Sequence, residues 1–181
     1  MRRVIFAMAL TFSSGVFAQH TQPSLGSAYS SMQGRDIKAF SDEQLADLRE
    51  GRGMGASLPA ELNGVPGPLH VLQLAGQLKV SPEQQAALER VMSEMKASAQ
   101  RLGTQLIAAE AELDRSFRLG SADELSITEA TSRIAALQGQ LRAVHLVAHV
   151  KARQLLSAEQ VAAYNVARGY GQEPSSHSRH H

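Results

Sequence analysis

The chain contains the pentapeptide "HLVAH", His145 to His149, inside a long stretch of helix-forming residues. Side chains four residues apart on a helix lie on one face, one turn apart, which is the spacing two ligands of one metal ion require. The residues between the two histidines are Leu, Val and Ala, so the pair lacks the glutamate base of the metalloprotease "HExxH". If the preceding long segment folds back around a turn near residue 122, His149 falls opposite Met95, with Met92 one turn away. Imidazole combined with thioether suits copper, or a borderline ion such as nickel, cobalt or zinc, better than magnesium or calcium. The candidate metal ligands are therefore His145, His149, Met92 and Met95. His70, on a short segment before the long ones, can lean against the same end, and Glu94 can add an oxygen.

Each of these residues also has a plainer account. Met92 and Met95 lie on an apolar seam where core packing explains them without a metal, and this is the default reading for a methionine. His70 in "PLHVLQL" reads equally as a histidine satisfied at a helix end. The tail residues His177, His180 and His181 read as solvated, weakly metal-binding groups at best, and cleavage after Ala18 would expose Gln19 and His20, whose amine and imidazole can also catch copper. "GRGMG" at Gly51–Gly55 lacks the lysine and helix of a phosphate loop and reads as a turn. No Ser/His/Asp constellation is legible, and Glu110, Glu112 and Asp114 fall around a helix rather than into a pocket. No enzyme is expected.

The elements that must position the histidines announce themselves by a repeated phrase. "FSDEQ", "VSPEQ" and "LSAEQ" occur at Phe40–Gln44, Val80–Gln84 and Leu156–Gln160. A serine that accepts from the N–H three residues on, with a Gln reaching back to the serine's own N–H, is a capping box. Glu in the first turn favours the positive end of the helix dipole, and Pro82 sits where a missing N–H costs nothing. The phrase therefore predicts three helix starts. The first helix runs from Ser41 to Glu50 and stops at the glycines of "GRGMG"; a second, Leu69–Leu78, follows the turn "LNGVPGP".

Two long segments come next. From Pro82 to Leu119, apolar or small residues recur in alternating steps of four and three through Leu88, Met92, Met95, Ala99, Leu102 and Leu106. After "GSADELS", where Ser126 with Glu129 offers a cap, Ile127, Ile134, Leu137, Leu141, Val144 and Ala148 repeat the pattern. Two such helices with a short loop fold as an antiparallel hairpin, and the second and third phrases then meet at its open end. A last helix carries Val161 and Tyr164 and ends near Gly169. No stretch alternates with period two. The expected fold is all-α: a long antiparallel hairpin with short hooked helices at the open end.

The opening "MRRVIFAMALTFSSGVFA" has a basic start, an apolar run too short to span a bilayer and a small-residue end, the pattern of a cleavable signal peptide over residues 1–18. The expected organisation continues with a flexible arm at 19–39, one helical domain at 40–170 and a disordered tail at 171–181. Removing Arg2 and Arg3 with the signal takes the 18 basic residues to 16, against 17 acidic, so no global basic field argues for nucleic acid. Cysteine is absent, which excludes disulfides and thiolate metal sites.

Leu156-Ser157-Ala158-Glu159-Gln160 and Val80-Ser81-Pro82-Glu83-Gln84 resemble the "LTxxQ" signature of the Spy/CpxP family of periplasmic chaperones. That family and the related heavy-metal sensor and resistance proteins of the CnrX and ZraP type share a hooked helical hairpin. The resemblance covers roughly residues 69–169. It implies a periplasmic protein, often a homodimer, that works by binding. The cobalt–nickel sensors of the group place a His-x-x-x-Met pair in the later helix and His-x-x-x-His upstream. Here His145 and His149 occupy the later helix, and Leu74 stands four residues after His70. Two functional readings follow. One is metal sensing, buffering or resistance, which would take a metal ion and a membrane signalling partner. The other is an ATP-independent chaperone holding unfolded client proteins on the concave face of the hairpin. Beside these two stands the plain alternative of a helical interaction module with neither activity.

Overall fold

The structure, a computed structural model, describes residues 27–170, with side chains from residue 29. The expected signal peptide and the tail histidines lie outside the described residues, as does His20. The chain divides into two compact units, 1–33 and 34–181. The described part of the first is one helical turn, α1 (Ser27–Ser30), followed by a turn in which Met32 N–H bonds the Tyr29 carbonyl. The second unit starts before Phe40. Ile37 is already buried and its carbonyl accepts the Phe40 N–H, so the expected arm at 19–39 gives its last residues to this unit.

The second unit holds α2 (Asp42–Glu50), α3 (Leu58–Glu61), α4 (Pro68–Gln73), α5 (Pro82–Arg118), α6 (Glu124–Gln154) and α7 (Ala158–Arg168). No strand occurs among the described residues. Ser41, Ser81 and Ser157 each close the full reciprocal box, with Gln44, Gln84 and Gln160 as partners. Gly51 and Gly169 end α2 and α7 in the left-handed conformation, at φ of 69° and 73°. Two local expectations are corrected. Helix α6 starts one turn earlier than Ser126: Asp123 is the cap, and Ser126 is its third-position partner. Helix α4 stops at Gln73 rather than Leu78, because the chain turns through Gly76 and a positive-φ Lys79 to bury Leu78 and reach the Ser81 cap. The short helix α3, started by Pro59 in its first turn, had no clear periodic signal.

Helices α5 and α6 pack against each other along their length. Their register is antiparallel: Glu112 pairs with Arg133 at 3.1 Å and Glu94 with Lys151 at 3.4 Å, 18 residues further from the turn on both helices. Glu94 is therefore spent on an exposed ion pair and does not supply the oxygen expected of it. Helix α2 crosses α5 at Gly103, whose missing side chain makes room for the Leu48 carbonyl.

The buried apolar residues form two separate clusters. One joins α2, α5 and α6 through Leu48, Ala99, Leu102, Leu106, Ile134 and Leu141. The other joins α4, α5, α6 and α7 through Val71, Leu88, Ala152, Leu156 and Tyr164. Each fully buried leucine or valine contributes about 1.5–3 kcal/mol. Along α5 the gap between the clusters runs from Leu88 to Ala99, and along α6 from Leu141 to Ala152. Met92, Met95, His145 and His149 stand in that gap.

Candidate metal centre

A cavity of about 460 Å³ opens in the gap, and His145, His149, Met92, Met95 and His70 all line it. The long helices supply the first four residues and α4 supplies the fifth. The loop Gly51–Gly53 after α2 and Gly67 before α4 close its sides.

His145 is 4% exposed and its Nε2 has no hydrogen-bond partner among the described residues. Its other edge lies against Gly53, where an added Cβ would sit 3.4 Å from Nδ1. Burial, and then the neighbouring His149, push its pKa below the ordinary histidine value. At neutral pH it is an uncharged imidazole with a free lone pair, which is a form that binds metals.

His149 is also buried. Its Nδ1 lies 2.9 Å from the Val65 carbonyl. A carbonyl only accepts, so Nδ1 carries the proton and the lone pair of the neutral ring is on Nε2. A backbone or carboxylate acceptor behind one ring nitrogen is how metal-binding histidines are held in a single tautomer. The Cε1–Nε2 edge packs on Gly67 so closely that a Cβ there would come within 2.6 and 2.7 Å of those atoms.

Glu61, at the end of α3, was not anticipated. It is 6% exposed, and its Oε1 accepts from Tyr164 Oη at 2.6 Å, Tyr170 Oη at 3.1 Å and Arg168 Nε at 3.2 Å. His70 Nδ1 lies 3.1 Å from the same oxygen, while Oε2 has no hydrogen-bond partner and stands 3.7 Å from His149 Nδ1. Burial alone would raise this carboxyl. The hydrogen bond from Tyr164, the charge of His70, the hydrogen bond from Tyr170 and the Arg168 guanidinium outweigh it and hold the group below the usual carboxylate range. Burial and the same hydrogen bond push the Tyr164 phenol well above its ordinary value. Glu61 thus ties α3, α4 and α7 to the back of His149. Its only sequence signal is a carboxylate alone among apolar and turn residues in "LPAELNGVPGP".

Among the described residues, no three His, Asp or Glu side chains form a group able to hold an ion. Nitrogen and oxygen donors alone do not complete a site, and the thioethers of Met92 and Met95 are the further donors on the cavity wall. Comparison with protein-family models, with curated proteins and with solved structures finds no match to this chain.

Proposed function

We propose that the protein binds a transition-metal ion between its two long helices and acts through that binding rather than by catalysis. The observation that carries this reading is the convergence of His145, His149, Met92, Met95 and His70 on one cavity, with the buried His145 Nε2 unpartnered. Leaving a buried ring nitrogen unsatisfied costs about 1–3 kcal/mol, and a ligand is a direct way to recover that. The Val65 carbonyl behind His149 and the close approach of Gly67 support the same reading, because both fix where Nε2 sits. The donors fit the group: two neutral imidazoles and two thioethers suit a transition metal and not a hard, oxygen-seeking cation. Bound there, a metal would bridge α5 and α6 where their apolar contact is interrupted.

The wider proposal is a hooked-hairpin protein similar to the Spy/CpxP and heavy-metal-sensor group. It would be exported behind residues 1–18, work as a homodimer, and serve metal sensing or resistance in the periplasm. Supporting it are the signal-like opening, the paired serine-capped phrases and the antiparallel register of α5 with α6. Titration of residues 19–181 with copper, nickel, cobalt and zinc, beside a His145→Ala/His149→Ala variant, tests the site. One equivalent bound by the wild type and none by the variant is expected. Equal, weak binding by both would end the proposal.

A second reading has its own observation. Phe117, Leu119 and Leu125 are 59%, 65% and 69% exposed around the turn between the long helices. Exposed apolar groups gathered at one end suit a chaperone holding unfolded clients. Suppressed aggregation of a denatured client without metal, lost on Phe117→Ser/Leu125→Ser, is the expected result for that activity.

A further inference from the structure

The charges and donors around the cavity narrow the ion. Building on the metal-binding reading above, we infer that the cavity selects the cuprous ion, Cu(I), over divalent zinc, nickel and cobalt.

The first argument is which donors remain free. Glu50, the one carboxylate on the wall, is paired with the Arg52 guanidinium. His70 turns Nδ1 to Glu61 and forms no ion-holding group with His145 and His149 among the described residues. That leaves the Nε2 atoms of His145 and His149 and the sulfurs of Met92 and Met95. A thioether is neutral, soft and polarizable, and it favours Cu(I) far more than the divalent ions. Met92 and Met95 are three apart on α5, so both fall on the face turned to the histidine helix.

The second argument is charge. The wall carries Arg52, Lys96 and Glu50, and Arg52 is shared between Glu50 and Asp47, so no net negative charge faces an incoming ion. Glu61 stands behind His149 rather than on the wall, and Arg168 already faces its charge. Taking a cation out of water with no anion to face it costs more the higher its charge, so a divalent ion meets greater opposition than a monovalent one does. Divalent zinc and nickel sites ordinarily offset this with thiolate or carboxylate ligands, and this wall has no unpaired anion to offer. A singly charged ion that accepts a neutral N₂S₂ set meets both conditions.

Competition under anaerobic conditions against a chromophoric cuprous chelator, with zinc, nickel and cobalt titrated in parallel, tests the inference. One Cu(I) bound more tightly than each divalent ion is expected. Met92→Leu/Met95→Leu conserves volume, and should weaken Cu(I) by at least about ten- to a hundredfold, the scale on which disturbing a metal's surroundings is felt. The same variant should weaken zinc less than it weakens Cu(I), and the metal-free unfolding midpoint should report less than about a tenfold change in the unfolding equilibrium. If the double variant fails to fold, the single variants and X-ray absorption of the Cu(I)-loaded wild type serve instead, and sulfur neighbours are expected in that spectrum. Tighter zinc, nickel or cobalt, unchanged Cu(I) affinity in the leucine variant, or a spectrum without sulfur would overturn the cuprous assignment. The broader site survives those results if His145→Ala/His149→Ala still abolishes binding. Wild type that binds no ion removes both.

Discussion

Gln84 and Gln160 hold each other by both halves of their amides. Gln84 Nε2 donates to Gln160 Oε1 at 2.9 Å, and Gln160 Nε2 donates back to Gln84 Oε1 at 3.0 Å. Each Oε1 also takes the N–H of its own capping serine, and each remaining amide proton goes to the other arm's backbone, at Leu155 and Leu78. Two copies of the repeated phrase therefore join to each other, besides starting their helices. Gln44, in the first copy, makes only the local cap among the described residues.

That difference separates two otherwise similar substitutions. Glutamate is a good third residue in a capping box, so Gln44→Glu should change stability by less than about 0.5 kcal/mol. Gln84→Glu removes the amide donor, strands the Leu155 carbonyl and sets a carboxylate against Gln160 Oε1. A loss of about 1–3 kcal/mol is expected. Urea unfolding midpoints of the two variants make the comparison, and equal midpoints would show that the clasp contributes nothing.

Gly67→Ala probes the histidine wall without replacing any candidate ligand. The new Cβ would fall 2.6–2.7 Å from the His149 ring, so the ring must leave its bond to the Val65 carbonyl. Metal affinity should drop by about ten- to a hundredfold, with about 1–3 kcal/mol lost from the metal-free protein. Gly76→Ala, where a Cβ meets nothing, is the control.

Acid should destabilise the metal-free protein in two stages. The folded-state pKa of His145 is lowered, so the unfolded chain takes up that proton first, and stability falls as pH drops below the ordinary 6.5. Glu61 is also lowered, so its contribution is complete above the ordinary 4.5 and is lost as pH falls through its folded value. Unfolding free energy measured from pH 7.5 to 3 should show both losses. Glu61→Gln should flatten the lower one and leave the upper in place.

Gly103→Ala should loosen the contact of α2 with α5. Its Cβ would overlap the Leu48 carbonyl oxygen, which is backbone and cannot swing aside. A loss of at least about 1–3 kcal/mol is expected. Because α2 leads directly into the Gly51–Gly53 wall, hydrogen exchange should rise there first.

What the sequence disclosed was what local rules govern. A serine with a Gln three residues on needs no distant partner to start a helix, so the three capped starts were legible. So was the pairing register, because a fold-back around a short turn near residue 122 sets which residues of the two long helices lie opposite. The wall of the cavity was half legible. His145 and His149 share a helix face by spacing alone, and the fold-back placed Met92 and Met95 opposite. Glu61 was hidden because its meaning comes from Tyr164, 103 residues away, and nothing in its neighbours foretells that contact. The Asp123 cap was missed because a competing Ser-x-x-Glu pattern begins three residues later. The end of α4 at Gln73 depends on where Leu78 is buried, a tertiary matter.

Glu61 crowds Tyr164, Arg168, Tyr170 and His70 onto one oxygen and turns the other toward His149. A carboxylate shares its electrons between both oxygens, so density drawn to one is taken from the other. Whatever polarises the His149 imidazole therefore loosens or tightens the grip on Arg168 and Tyr170. The His149 ring and the turn that carries Tyr170 answer to one pool of charge.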